Sequence, residues 1–207
     1  MKKLYINVNR CELYGGAEAL SPLVKEIDIR MQELAQETEI IKGVLFKFVG
    51  DNSSEQFERA AVEVYNLSER LYDSSEQLNE MQCQIVKYQE AIAKFNDNNY
   101  SFSAPNAHNV QKVQISTDVN HFQFTYEEMV YVDNSIQNYV NNARDSIVRL
   151  KSNKDEIGSI WRDPQYNDFS DFIDETVSVT EKGIVVLEEY SAYLSKHIIE
   201  LNNQGGV

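Results

Sequence analysis

The chain has 207 residues, and its 33 acidic and 19 basic side chains give it a formal net charge of −14. This charge argues against binding to nucleic acid or to anionic membrane surfaces, since those partners require clustered Lys and Arg. Eight glycines and three prolines are few for this length, and they favour long uninterrupted helices over a strand-rich fold.

The first predicted helix opens at Ser21–Pro22, after a short extended lead-in at residues 4–8. Its apolar residues follow the alternating three- and four-residue steps of a coiled-coil seam, with Thr38 as the one polar interruption. The helix is expected to end near Val49. The apolar positions are Leu20, Val24, Ile27, Met31, Leu34, Ile41, Leu45 and Phe48.

The second predicted helix begins at Ser53, which can form a capping box with Gln56, and runs to Phe95. At 1.5 Å per residue it would be roughly 60 Å long, so it must lie along another helix for much of its length. Ser74 is the one gap in its seam. The seam residues are Val64, Leu67, Leu71, Leu78, Met81, Ile85, Tyr88, Ile92 and Phe95.

The third and fourth predicted helices follow a linker rich in Asn and Ser. Thr125 and Glu128 form a capping box that opens the third helix, and Asp163 with Pro164 is a good start for the fourth. The apolar residues of the third helix are Met129, Val132, Ile136, Val140, Ala143, Ile147, Leu150 and Ile157. Those of the fourth are Ile173, Val177, Ile184, Leu187, Leu194, Ile198 and Leu201.

Two helical hairpins are therefore predicted, and a shift of 112 residues superposes their turns. The shift places Val49 on Trp161 and Phe57 on Phe169. We infer an internal duplication, although two unrelated hairpins could share a generic heptad rhythm. The predicted organisation is a first hairpin at 1–97, a linker at 98–120 and a second hairpin at 121–207. The fold is predicted to be all-α, as one four-helix bundle or as hairpins arranged end to end, with short extended lead-ins.

No catalytic, cofactor-binding or metal-binding residue is predicted. His108, His121 and His197 lack a second His or a Cys at metal-ligand spacing. Four acidic residues that follow the second turn could form a metal site, but acidic side chains in the first turns of a helix are also expected from the helix dipole. These residues are Asp168, Asp171, Asp174 and Glu175.

The only tryptophan, Trp161, lies in the turn between the third and fourth helices. It can cap the bundle core, or part of its indole can be exposed and contact a partner, and both can hold. Partner binding at this hairpin tip is predicted for Trp161, Asp163, Tyr166 and Phe169.

Two coiled-coil helices joined by a Trp-bearing tight turn, with an aromatic residue eight positions after the Trp, resemble the WXG-type helical hairpins of bacterial type VII secretion. In that family one antiparallel hairpin pairs with a second to form a four-helix bundle. The resemblance covers nearly the whole chain, as two fused hairpins at 4–95 and 115–201. It departs from the family at the glycine after the tryptophan, which is Asp163 here, and at the first turn, where Val49 replaces the tryptophan. The family's secretion tag, a tyrosine followed four residues later by an acidic residue, is missing after the fourth helix.

The resemblance implies a non-enzymatic helical adaptor, or a secreted or co-secreted protein, that docks a helical partner such as a toxin leader or a secretion component. The alternative is a cytoplasmic coiled-coil scaffold that associates with itself. A third class is an enzyme or metal protein that uses the acidic residues near 163–175. The chain has no membrane-length apolar segment and no recognisable signal peptide, so we expect a cytoplasmic protein, or one secreted without a classical signal.

Overall fold

The protein folds into four α-helices in a computed structural model that describes residues 17–48, 54–95, 124–162 and 164–204. The helices are α1 (Ala17–Phe46), α2 (Glu55–Phe95), α3 (Tyr126–Ile160) and α4 (Gln165–Gln204). The backbone alone is described for 17–19, 88–95 and 204. No strand occurs in these ranges, which confirms the all-α prediction. The predicted extended lead-ins and the linker at 98–120 lie outside the described residues.

The predicted seams form the core. Every seam residue named for α1 and α3 is buried, as are those named for α2 between Val64 and Ile85. In α4 the seam is buried as far as Leu194, whereas Ile198 is half-buried and Leu201 is exposed. Thr38 and Ser74, the two polar interruptions, are also fully buried. The apolar repeat therefore identifies the inward faces of the helices, because residues three and four apart share one face.

The helix starts agree with the predicted caps at one helix and differ at two. Thr125 and Glu128 form the reciprocal capping box, with the Glu128 amide donating to Thr125 Oγ1 and the Thr125 amide to Glu128 Oε2. At α2 the observed cap is Ser54, one residue after the predicted Ser53, because its Oγ accepts from the Phe57 amide at 3.2 Å.

The prediction that α1 opens at Ser21–Pro22 is wrong, since α1 begins at Ala17 and contains Pro22. Proline at this position removes one backbone hydrogen bond from the second turn. Leu20 and Val24 on either side of it are fully buried, and the burial of these side chains offsets the lost bond.

The core is divided into two compact units, and each contains segments of all four helices. The first unit takes its described residues from Met1–Glu33, Leu71–Val110 and Ser146–Val177. The second takes them from Leu34–Arg70, Gln111–Asp145 and Ser178–Val207.

In the first unit, polar contacts connect three pairs of helices. Gln82 of α2 donates to Asp28 Oδ2 of α1 at 2.9 Å. The hydroxyls of Ser74 and Thr176 lie 3.4 Å apart between α2 and α4. Lys154 of α3 forms an ion pair with Asp174 of α4.

In the second unit, side-chain contacts join α1 to α2, α2 to α4, α4 to α3 and α3 to α1. Lys42 donates to Ser68 Oγ at 2.8 Å, and the Phe57 and Tyr190 rings lie 5.7 Å apart. Ser195 donates to Asp133 Oδ2 at 3.1 Å. Thr38 shares a hydrogen bond of 2.9 Å with Tyr139. This cyclic order places α1 diagonally opposite α4.

Within each unit the two hairpins therefore lie side by side, which favours the bundle over the end-to-end alternative. The shift of 112 residues also relates the helix bounds. It places the end of α1 two residues before the end of α3, and the start of α2 two residues after the start of α4. The duplication and the domain boundaries at 97 and 121 stay predictions.

Candidate functional site at the second hairpin tip

The turn between α3 and α4 is short and continues the last turn of α3. The Trp161 amide donates to the Ile157 carbonyl oxygen at 2.9 Å, and the Asn167 amide donates to the Pro164 carbonyl oxygen at 3.1 Å. Pro164 directly precedes α4, where its fixed φ angle suits the entry into a helix. Asp163 lies outside the described residues, so its predicted roles in capping and partner binding stay predictions.

Three aromatic rings pack together at this tip. The Trp161 ring lies 5.7 Å from Phe169 and 6.0 Å from Tyr166, and the Tyr166 and Phe169 rings are 6.3 Å apart. These separations are in the range in which aromatic pairs attract one another beyond their burial alone. Trp161 and Phe169 have no exposed surface, whereas Tyr166 is half-buried. Trp161 thus packs in the core of the first unit, and binding of a partner through its indole would require the turn to open.

Tyr166 lies directly over a glycine of α3. Its hydroxyl donates to the Lys154 carbonyl oxygen at 3.1 Å. A Cβ atom built on Gly158 would lie 2.5 Å from the Tyr166 hydroxyl oxygen and 2.7 Å from the ring carbon that bears it. A side chain at position 158 would therefore require Tyr166 to move. Gly158 was not among the residues predicted from the sequence, since a glycine inside a helical pattern does not by itself indicate which residue packs against it.

An ion pair ties α3 to α4 beside the aromatic rings. Lys154 Nζ lies 2.6 Å from Asp174 Oδ1. Burial of Lys154 opposes its charge, but the hydrogen bond and the charge of Asp174 outweigh this effect and raise the pKa of Lys154 above its ordinary value. Lys154 was also not predicted from the sequence, because its partner Asp174 lies twenty positions away in the chain.

The acidic residues at the start of α4 show no arrangement for a metal ion. Asp174 is occupied by Lys154, and it also accepts a long hydrogen bond from Ser170. No group of three or more His, Cys, Asp or Glu side chains within the described residues could hold a metal. His197 lies 3.2 Å from Glu200 and packs edge-on against Tyr193, while His108 and His121 lie outside the described residues.

The accessible part of the tip is a rim around the buried rings. Its exposed residues are Arg162, Pro164, Asn167, Asp168 and Asp171. The tip therefore combines a fixed aromatic interior with a polar surface. This arrangement can present a rigid turn to another protein, and it brings no nucleophile and base together among the residues described.

No protein-family model, curated protein or solved structure was found to match the chain. Within the described helices, none combines the length and apolar character needed to cross a membrane.

Proposed function

We propose that this chain is a non-enzymatic helical adaptor that docks another helical protein through its second hairpin tip. The partner would be a helical toxin leader or a component of a secretion machine, and the adaptor would be secreted or co-secreted in the manner of WXG-type proteins. Its mechanism is helix packing, in which a preformed surface receives a partner helix.

The observation that carries the proposal is the seating of Tyr166 on Gly158. This contact, together with buried Trp161, packs the start of α4 against the end of α3. A rigid turn loses little conformational entropy when a partner binds, so its contacts contribute more fully to affinity. The exposed rim residues Arg162 and Asn167 flank these packed rings.

The charge of the tip supports a partner that carries basic side chains. Asp168 and Asp171 are exposed in the first turns of α4, on a chain with a net charge of −14. Opposite charge on a partner helix would steer the encounter and select the partner, an effect that weakens as salt is added.

The proposal is tested by purifying the tagged full chain from its native cells, with the culture supernatant analysed in parallel by mass spectrometry. Recovery from the supernatant, or together with a helical secreted protein or a secretion component, is expected. Recovery of the chain from the cells with no other protein would contradict the adaptor proposal and favour the cytoplasmic scaffold.

Substitutions at two exposed positions distinguish a loss of partner binding at the tip from a loss of folding. Asp171→Lys reverses a rim charge and is expected to lower the recovery of the partner. Glu76→Lys is the matched control, because Glu76 is an exposed acidic residue of α2 in the same unit. Equal recovery of the partner with both variants would show that the rim does not contribute to docking.

Trp161→Ala tests the interior of the tip. Deleting a buried Trp side chain costs about 3–5 kcal/mol in the free energy of unfolding, so partner recovery must be read beside circular dichroism. Trp161→Phe keeps an aromatic ring and is expected to restore part of both. If Trp161→Ala changes neither the fold nor the recovery of the partner, the tip has no part in docking.

A further inference from the structure

The turn of the first hairpin contains no aromatic side chain, in contrast to the turn of the second. Under the shift of 112 residues, Phe57 near the start of α2 corresponds to Phe169, and both are buried. Val49 occupies the position that corresponds to Trp161, and residues 49–54 include no Phe, Tyr or Trp. The first turn therefore cannot supply a ring to cover Phe57 in the way that the indole of Trp161 covers Phe169.

The ring that packs on Phe57 comes from the other hairpin. Phe124, two residues before the start of α3, lies 6.1 Å from Phe57 and 4.7 Å from Phe48, measured between ring centroids. At the second tip, the ring of Trp161 is 5.7 Å from its phenylalanine. Phe124 thus takes the place at the first tip that Trp161 has at the second.

Phe124 packs against rings that are themselves buried. Phe48 and Phe57 are 4% and 2% exposed, and the ring of Tyr190 on α4 lies 5.7 Å from Phe57. All these residues belong to the second unit. Aromatic pairs at such separations attract one another beyond their burial alone, so this surface suits a ring better than an aliphatic chain. We call the surface of Phe48 and Phe57 that Phe124 covers the aromatic site.

The start of α3 does not depend on the ring of Phe124. The amides of Glu128 and Met129 donate to the side-chain and carbonyl oxygens of Thr125, and the Thr125 amide donates to Glu128. These bonds begin at Thr125, so a rotation at Phe124 can withdraw its ring and leave the first turn of α3 intact. Phe124 is also half-buried, whereas Trp161 has no exposed surface.

We infer that the first tip is a binding site for an aromatic side chain, which Phe124 of the same chain occupies until an aromatic residue of a partner replaces it. Because Phe124 is covalently attached, its effective concentration at the aromatic site is high. An external ring then binds with an apparent affinity reduced by the fraction of chains in which the site is vacant. The inference does not rest on the adaptor proposal, since the second tip belongs to the other unit.

Phe124→Ala in the full chain tests the inference with a defined probe, N-acetyl-phenylalaninamide. The substitution vacates the aromatic site and removes the competing ring. The probe is therefore expected to bind the variant about tenfold or more tightly than it binds the wild-type chain. Ligand-observed NMR measures both dissociation constants. N-acetyl-leucinamide is the comparison probe, and its affinity should gain less because it has no ring.

Tyr131→Ala is the matched control, because Tyr131 is 54% exposed on α3 in the same unit and lies outside the aromatic site. This variant should bind the probe as weakly as the wild-type chain does. Circular dichroism and the emission of Trp161 report whether each variant is folded. Phe124→Ala is expected to fold, because the ring is half-buried and lies outside α3. Failure to fold would show that the ring is a fixed part of the core, and it would overturn the inference.

The amide signals of the protein locate the bound probe. In Phe124→Ala the probe should shift the signals of Phe48 and Phe57 and leave that of Trp161 unchanged. Tighter binding to this variant alone, with those shifts, would support the assignment. Equal affinity for the wild-type chain and the variant, no binding to either, or an equal gain for the leucine probe would overturn it. Shifts confined to Trp161 and Tyr166 would place the probe at the second tip and would also contradict it.

Discussion

Thr38 of α1 and Tyr139 of α3 share a fully buried hydrogen bond of 2.9 Å in the second unit. The Thr38 hydroxyl donates its own proton to the Leu34 carbonyl oxygen at 2.8 Å, so it accepts the proton of Tyr139. Each hydroxyl is thereby satisfied without water, as buried polar groups must be.

Removing the Thr38 hydroxyl is expected to cost more than removing the Tyr139 hydroxyl, and the two losses are not expected to add. Thr38→Val leaves the Tyr139 hydroxyl buried without an acceptor and should lower the free energy of unfolding by about 1–3 kcal/mol. Tyr139→Phe leaves Thr38 bonded to Leu34 and should cost about 1 kcal/mol. The double variant should be less destabilised than the sum of the two, as measured by urea unfolding. Simple additivity would show that the pair contributes nothing as a unit.

Alkaline pH should destabilise the fold through buried tyrosines. Burial raises the pKa of Tyr139 above its ordinary value of 10.0, and burial does the same for Tyr190. Because the folded state holds these protons more tightly than the unfolded state, their stabilisation is complete below about pH 10 and is lost as pH rises further.

The alkaline effect can be assigned to a residue by substitution. In unfolding measurements between about pH 8 and about pH 11, Tyr139→Phe should reduce the loss of stability that the wild-type chain shows at the upper end. Tyr131→Phe is the control, since Tyr131 is 54% exposed. The same pH slope in all three proteins would contradict the assignment.

Gly158→Ala should destabilise the fold when residue 166 is tyrosine and stabilise it when residue 166 is alanine. In the wild-type chain the new Cβ would lie 2.5 Å from the Tyr166 hydroxyl oxygen, and overpacking of this kind costs about 1–3 kcal/mol. In a Tyr166→Ala background the clash disappears, and alanine should stabilise the helix by up to about 1 kcal/mol. Thermal unfolding of the wild-type chain, the two single variants and the double variant gives both values. A loss of stability in both backgrounds would contradict a steric role for Tyr166.

The buried ion pair of Lys42 and Glu39 should behave differently from a surface pair. Their side chains are 2% and 5% exposed, Lys42 also donates to Ser68, and the Ser68 hydroxyl donates to Glu39. Lys42→Met leaves a carboxylate buried without its cation, which costs about 3–5 kcal/mol.

Replacing both charges, as Lys42→Met with Glu39→Leu, should restore most of that loss, because an apolar pair needs no compensation. The comparison is Lys196→Met, which removes an exposed pair with Glu200 and should cost less than about 1 kcal/mol. Urea unfolding measures all three. Equal losses for Lys42→Met and Lys196→Met would show that burial does not strengthen the pair.

The apolar seams made the helices and their inward faces predictable, because residues that recur at three- and four-residue steps lie on one face of an α-helix. The buried polar residues were harder to predict from the sequence. Lys42 and Glu39 are three positions apart, a spacing that is usual for a solvent-exposed pair. Their third partner, Ser68, lies on another helix, and the spacing of Lys42 and Glu39 gives no indication of it.

The tip was predictable in outline and not in detail. Trp161 and Phe169 were both assigned to this hairpin tip from the sequence, and their rings lie 5.7 Å apart. The closeness of Tyr166 to Gly158 depends on the angle at which α4 leaves the turn, and no local propensity fixes that angle. The start of α1 was misplaced for a similar reason, since burial of Leu20 outweighs the local preference for proline at a helix start.

The division of the core predicts how the two hairpins should behave when they are produced as separate polypeptides. Each compact unit takes segments from α1 and α2 as well as from α3 and α4. Neither hairpin therefore contains a whole hydrophobic core, and a polypeptide cut between them would have to recover its fold by association. Residues 1–110 and 111–207, produced as separate chains, should each be poorly structured and should gain helix content in a one-to-one complex when mixed. The two hairpins of one chain would thus behave like the two subunits of a heterodimer that are joined covalently.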